Sequence, residues 1–262
     1  MNWIIMPYRG NLEQTADAVG DALDQSIDDP HLLLIQQGGE AVPLLPPRDH
    51  SRRLHRWHHD PPLPSLAATW NRALQMVWEM GMEHALVVNN DVRLPRRLYA
   101  ELLRGQRLTR AWFITACNVG ESYHEAGRDS YTDAVFDARG GPDFSCFLIT
   151  KDCHTQFPFD EGFQPAYCED LDYHRRLMLA GRGDRIFSVP VPYFHYASGT
   201  LKSLPEAARQ QLGAQIGVGS RAYYARKWGG PPNQEAYALP FDPASARAGV
   251  TTPDLQHRGI PT

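Results

Sequence analysis

No apolar run in this chain approaches the ~18 residues that a membrane-crossing helix needs, and a mean hydropathy of -0.44 agrees with that lack. Residues 1–10 have neither the basic head nor the long apolar core of a secretory signal. Cysteine is sparse: Cys117, Cys146, Cys153 and Cys168 form no CxxC pair and read as free thiols in a reducing cytoplasm. Charge of one sign is lacking too, with 26 basic against 30 acidic residues and a formal net charge of -4. That balance argues against a protein that coats nucleic acid nonspecifically, while a local basic patch remains able to grip phosphates. No internal repeat is present. What is there is 262 residues, 42% hydrophobic and 21% charged, the profile of a soluble globular protein with one large domain and one main core.

Residues 3–6 form a short apolar run ended by Pro7 and Gly10, after which Leu12, Thr15, Ala16, Val19 and Leu23 recur at helical spacing. Residues 31–35 form a second run without polar alternation, as in a strand covered on both faces, and Gln36-Gln37-Gly38-Gly39 ends it. After a Pro- and Arg-rich connection, Ser65 is placed to cap a helix whose Leu66, Trp70, Ala73, Leu74 and Val77 share one face and which Gly81 stops. A third strand over residues 84–88 ends at Asn89-Asn90-Asp91. The alternation predicts an α/β fold: a mainly parallel sheet with helices on both faces, binding ligands beyond the carboxyl ends of its strands. The second half is mixed, with strands near 111–117, 144–150 and 185–189, a polar loop over 118–141, a helix near 169–180, a Pro- and aromatic-rich stretch at 190–196 and a long helix near 205–228. The last 34 residues, rich in proline, are expected to wrap the surface or fray.

Three segments carry candidate chemistry, and each has a plain structural reading. Asp91 at the end of a buried strand suits a hard divalent cation, yet Asn and Asp end many strands as turn formers. Asp160 and Glu161, followed by Glu169, Asp170 and Asp172, offer a general base that burial would tune, or a helix cap and a dipole partner. His195, in Pro192-Tyr193-Phe194-His195-Tyr196, is a metal ligand or a hydrogen-bonded core residue.

In this order and spacing the segments resemble the GT-A sugar transferases, most closely the inverting enzymes of glycosyltransferase family two. The resemblance runs from Trp70-Asn71-Arg72-Ala73 and Asn89-Asn90-Asp91 through Phe159-Asp160-Glu161 and Glu169-Asp170-Leu171-Asp172 to His195-Tyr196-Ala197-Ser198-Gly199, and spans roughly residues 1–228. It implies a single GT-A-type, Rossmann-like domain over 1–228, with a nucleotide-sugar donor half to about 110, an acceptor half over about 111–200, a C-terminal helix over 201–228 and a Pro-rich tail over 229–262. Asp91 would bind a divalent metal bridging the donor diphosphate and His195 would complete the site, an imidazole favouring Mn²⁺ over Mg²⁺. Pro7, Arg9, Asn71, Arg72, Asn89 and Asn90 fall at donor-binding positions, although Arg72 also reads as a solvated helix residue. Gln37 stands near an Asp that reads the donor base or ribose. Asn89 and Gln37 depart from the family's acids, which removes negative charge and leaves the nucleotide open, a UDP-sugar being the first expectation. Asp170 would be the base that deprotonates the acceptor, with Glu169 the second choice, and Asp172 would orient the helix or pair with Arg175 or Arg176.

Residues 48–59 hold four arginines and four histidines. With Trp57, the cluster of Arg48, Arg52, Arg53 and Arg56 reads as an acceptor-binding rim for a polyanion or as an exposed charged loop. The expected function is metal-dependent, inverting glycosyl transfer to a macromolecular hydroxyl. A hydroxymethylated DNA base leads, as in small stand-alone transferases of tailed bacterial viruses, and protein Ser/Thr or a glycan is the alternative. Two competitors are a non-catalytic nucleotide-sugar-binding GT-A-like protein, favoured by Asn89 and Gln37, and a nucleotidyltransferase, whose Gly-rich basic loop Pro7-Tyr8-Arg9-Gly10 matches only thinly.

Overall fold

The computed structural model describes residues 1–38, 41–42, 52–120, 134–196, 199, 202 and 204–246. The first apolar runs become parallel strands β1 (Asn2–Tyr8), β2 (Pro30–Gln36), β3 (Leu54–His58) and β4 (His84–Val88), with β1 between β2 and β4 and with β3 at the edge beside β2. Beyond them come β5 (Val92–Arg93), β6 (Phe113–Asn118), β7 (Phe136–Asp137), β8 (Cys146–Thr150) and β9 (Ile186–His195), giving the order β3-β2-β1-β4-β8-β6-β9-β5 with β7 also paired to β9. β8 runs antiparallel to β4 and β6, while β9 is parallel to β6. The sheet is therefore mixed and mainly parallel, as the sequence predicts.

Strand alternation builds two cores. Ile4, Leu32, Leu86 and Ile114 point toward α1 (Leu12–Leu23) and α3 (Leu98–Thr109), where Val19, Tyr99 and Leu102 meet them. Ile5, Leu33, Val87 and Phe147 point the other way, toward Trp70, Leu74 and Val77 of α2 (Leu66–Glu79), with Cys153 of α4 (Lys151–Gln156) and Tyr173 and Leu177 of α5 (Glu169–Leu179). Ser65 caps α2, its Oγ accepting from the Ala68 N–H at 3.0 Å.

Besides adding α3, α4, β5 and β7, none of them expected from the sequence, the structure differs from the sequence expectations in three places. Part of the Pro- and Arg-rich connection is the edge strand β3. The stretch expected to leave the sheet at Pro190 stays in β9 as far as His195. Both prolines of that strand fall where its outer neighbour changes from β7, at Phe187 and Ser188, to β5, at Phe194 and His195, so no ladder bond there asks for their missing N–H. The long C-terminal helix divides into α6 (Glu206–Ile216), one π-type turn (Gly217–Arg221) and α7 (Ala222–Trp228). The turn presses on the Gln164 carbonyl: Ser220 Oγ donates to it at 3.1 Å, and a Cβ on Gly219 would lie 2.4 Å from it.

Of the expected tail, residues 229–246 wrap the surface. The Phe241 N–H donates to the Lys227 carbonyl and Tyr224 Oη to Glu235. Residues 247–262, like most of the polar loop at 121–133, lie outside the described residues, as does Arg48.

Candidate functional site

β1, β2 and β4 end at one edge of the sheet. The antiparallel β8 begins there, with Cys146 beside Val88, and β9 arrives there with His195 beside Val92. The loops at this edge enclose a cleft of about 420 Å³ lined by Pro7, Tyr8, Arg9, Gln37, Asn89, Asn90, Asp91, Glu169, Asp170 and His195, and also by Ser65, Asp143, Ser145, Tyr167 and, from α6, Leu212 and Ile216.

Asp91 and His195, 104 positions apart in sequence, meet because β5 pairs with the end of β9. Asp91 Oδ1 lies 3.2 Å from His195 Nε2, and Oδ2 accepts from the Gly199 N–H at 2.8 Å. Burial alone would raise the Asp91 carboxyl, but the hydrogen bond and charge of His195 outweigh it and hold the group below its ordinary value. Burial would lower the imidazole in turn, and Asp91 holds it raised. Asn89 Nδ2 approaches the same ring nitrogen at 3.5 Å. Among the described residues no third His, Cys, Asp or Glu joins the pair. One carboxylate and one imidazole converging on a point suit a borderline divalent ion such as Mn²⁺, whose remaining positions would fall to oxygens of ligand or solvent. Asn90 is committed elsewhere, its Nδ2 donating to Thr15 Oγ1 at 2.8 Å and so tying the cleft floor to α1.

Gln37 is 9% exposed. Its Oε1 accepts from the Leu63 N–H at 3.0 Å, and its Nε2 has no hydrogen-bond partner among the described residues. A buried amide left half satisfied on a cleft wall is suited to a ligand's acceptor atom.

Glu169 and Asp170 open α5. Glu169 is 5% exposed, and burial together with the neighbouring Asp170 charge pushes its carboxyl up to about 8; its Oε2 has no partner among the described residues. Asp170 is less buried, and its Oδ1 accepts from the Leu171 N–H at 2.8 Å. Asp172 faces away from the cleft and pairs with Arg176 Nε at 2.7 Å, Lys227 Nζ at 2.6 Å and Trp228 Nε1 at 2.9 Å. Lys227 also holds Asp160 at 2.5 Å, so the Phe-Asp-Glu segment anchors α7. Phe159 stacks on Tyr173, centroids 4.2 Å apart.

Two groups of expected site residues lie outside the cleft lining. Asn71 is a clamp: its Nδ2 donates to the Phe159 carbonyl and to Glu161 Oε1, while its Oδ1 accepts from the Phe159 N–H and faces His154 Nε2. His154 accepts on Nδ1 from Trp78 Nε1, and burial pushes it down to about 4, so it stays neutral. Arg72 is an exposed helix residue. Arg56 and Trp57 do not share a face, because β3 alternates, while Arg52 and Arg53 precede the strand. Trp57 packs on the α2-side core with its ring against His59, whereas Arg56 points to the opposite face and reaches the Val42 carbonyl at 3.5 Å.

Sequence reasoning missed Asp143, Ser145 and Tyr193. Asp143 Oδ1 accepts from the Ser145 N–H and Oγ, and Ser145 Oγ meets Tyr193 Oη at 2.5 Å. Their place depends on β8 running antiparallel, which the pattern of a short apolar strand does not disclose.

No protein-family model and no curated protein matches the chain. Solved structures do. S. aureus TarS superposes with a TM-score of 0.57 at 12% identity over 82% of this chain, and TarS 1-349 in complex with UDP with 0.55 at 13% over 86% of this chain and 75% of its own. GalNAc-T7 with UDP, GalNAc and Mn²⁺ gives 0.56 at 10%, covering 77% of this chain and 46% of its own. The chain has the GT-A fold. It spans 43% of the longer TarS chain. The GT-A fold, rather than any closer kinship, is what such identities show, and it agrees with the strand order and with the cleft at the carboxyl ends of the strands.

Proposed function

We propose that this protein transfers a sugar from a nucleoside-diphosphate sugar, with a UDP-sugar the first candidate, to a hydroxyl acceptor with inversion at the anomeric carbon. The observation that carries this reading is convergence: Asp91, Glu169-Asp170 and His195, from three distant segments, line one cleft in a GT-A fold. UDP in TarS 1-349 and UDP with Mn²⁺ in GalNAc-T7 support the choice of donor and ion. Asp91 and His195 would hold the ion, Mn²⁺ in preference to Mg²⁺. When bound, it offsets charge on the departing diphosphate. Pro7, Arg9 and Asn89 border the donor, and Gln37 offers its free amide N–H to the base. In this reading strands β1 to β4 form the donor half and β6 to β9 the acceptor half.

Asp170 takes the acceptor proton as the hydroxyl oxygen bonds to the anomeric carbon from the face opposite the diphosphate; the old glycosidic bond breaks and its electron pair leaves with the diphosphate. Glu169 is the poorer base because burial keeps it protonated near neutrality, and a protonated carboxyl has no place for a second proton. Of the acceptors, the hydroxymethylated DNA base loses the shared face of Arg56 and Trp57 that was part of its motive, which leaves protein Ser/Thr and glycan hydroxyls on an equal footing with it. The unbridged Cys117, Cys146, Cys153 and Cys168 support a reducing, cytoplasmic setting. Among the described residues no helix is long and apolar enough to cross a membrane.

Incubating UDP-glucose and UDP-GlcNAc with the protein and Mn²⁺, followed by mass spectrometry, tests the reading. Release of UDP is the expected result. Sugar 1-phosphate formed with added pyrophosphate would identify nucleotidyl transfer instead, and donor bound but never cleaved would identify a binding protein.

A further inference from the structure

Besides the ion pair and the amides described above, the cleft has apolar lining: Pro165, Ala166 and Tyr167, which lead into α5, and Leu212 and Ile216 of α6. Tyr167 is 38% exposed, a large ring left at the surface. Its backbone is unusual as well. Tyr167 and Cys168 both sit at positive φ, 75° and 70°, a region costly for side chains with a Cβ and rare for bulky ones. Two such residues in succession set the backbone that brings Tyr167 into the cleft lining, three positions before the candidate base Asp170.

The charges bordering this space limit what enters it. With Glu169 held neutral by burial, Asp91, Asp143 and Asp170 line the cleft against Arg9, and the charge of a bound divalent ion is matched by the donor's diphosphate, so the loaded cleft stays negative and repels a polyanion. An uncharged sugar ring suits both features, since its C–H face packs on an aromatic ring while its hydroxyls stay free for polar partners.

We infer that Tyr167 is an acceptor platform that stacks on the ring face of an uncharged sugar and presents one of its hydroxyls to Asp170. The acceptor is then a neutral glycan or glycoside, and α6 supplies the apolar side of its subsite through Leu212 and Ile216. This inference rests on the transferase reading above.

The test uses the full chain with UDP and Mn²⁺. Saturation-transfer NMR is run with methyl glycosides of glucose, galactose, mannose and N-acetylglucosamine and with lactose, maltose and cellobiose. Transfer from UDP-glucose and UDP-GlcNAc is measured to the same sugars, to a hydroxymethylcytosine duplex and to a Ser/Thr-rich protein. Binding and transfer to at least one neutral sugar are expected, with KM for that sugar raised about tenfold in Tyr167→Ala and restored in Tyr167→Phe and Tyr167→Trp. Transfer only to the duplex or to the protein would overturn the inference and leave the transferase reading intact. So would an unchanged sugar KM in Tyr167→Ala. Absence of both UDP binding and donor cleavage by the wild-type chain would overturn the transferase reading, and the inference with it.

Discussion

Glu169 and Asp172 lie within one turn of each other at the start of α5, both buried, in opposite surroundings. Asp172 is fully enclosed and fully answered by Arg176, Lys227 and the Trp228 N–H. Glu169 faces the cleft with one oxygen unpartnered among the described residues and is driven toward its neutral form. The same residue class thus does two jobs on one helix. Where every oxygen has a partner the acid is architecture, joining α5 to α7; where one is left over, the structure has kept room for something that is not protein.

The largest effect is expected on the architectural side. Lys227→Met leaves Asp172 and Asp160 without their shared ammonium and should destabilise the fold by about 3–5 kcal/mol, measured by urea denaturation. A loss under about 0.5 kcal/mol would erase the contrast between the two acids. Next comes the cleft side: Asp170→Asn keeps shape and donor affinity and should lower transfer by roughly 10²-fold or more, with Glu169→Gln costing less. A reversed ranking in steady-state kinetics would move the base to Glu169.

Glu169→Gln sharpens the comparison through pH. In the folded protein the carboxyl titrates at about 8, above its unfolded value near 4.3. Its contribution to stability is therefore fully present below pH ~4.3 and is lost as pH rises through about 8. The wild type should lose melting temperature across that window relative to Glu169→Gln, and the variant should melt a few degrees higher at pH 9. Parallel curves for the two proteins would mean that the buried acid is compensated after all. The smallest effect belongs to the edge strand. Glutamine at Arg52, Arg53 and Arg56 together should shift stability by no more than about 0.5 kcal/mol and leave UDP affinity unchanged, checked by denaturation and calorimetry.

Much of this was legible in the sequence, for physical reasons. Strands β1, β2 and β4 are covered on both faces and so read as continuous apolar runs, and α2 carried both its cap and its stop. Asp91, Glu169-Asp170 and His195 were visible as chemistry at the ends of such elements, and the cleft brings them together. β3 was not legible because an edge strand satisfies only one side and tolerates Arg and His, which read as loop. Nor was β9 past Val189, since two prolines look like an exit from the sheet unless the change of neighbouring strand is known. The resemblance alone puts Asn71 at the donor, and it does not disclose that the amide is engaged by Phe159 and Glu161. The apolar lining formed by Tyr167, Leu212 and Ile216 joins segments more than 40 residues apart, and no spacing rule reaches that far.

In the proposed function the cleft holds a nucleoside diphosphate through an ion gripped by Asp91 and His195. Calorimetric titration of UDP into the full chain with Mn²⁺, repeated in chelator and with Asp91→Ala and His195→Ala, tests it directly. Binding with Mn²⁺ that weakens at least about tenfold in chelator and in each variant is the expected result. Equal UDP affinity in all four titrations would contradict it.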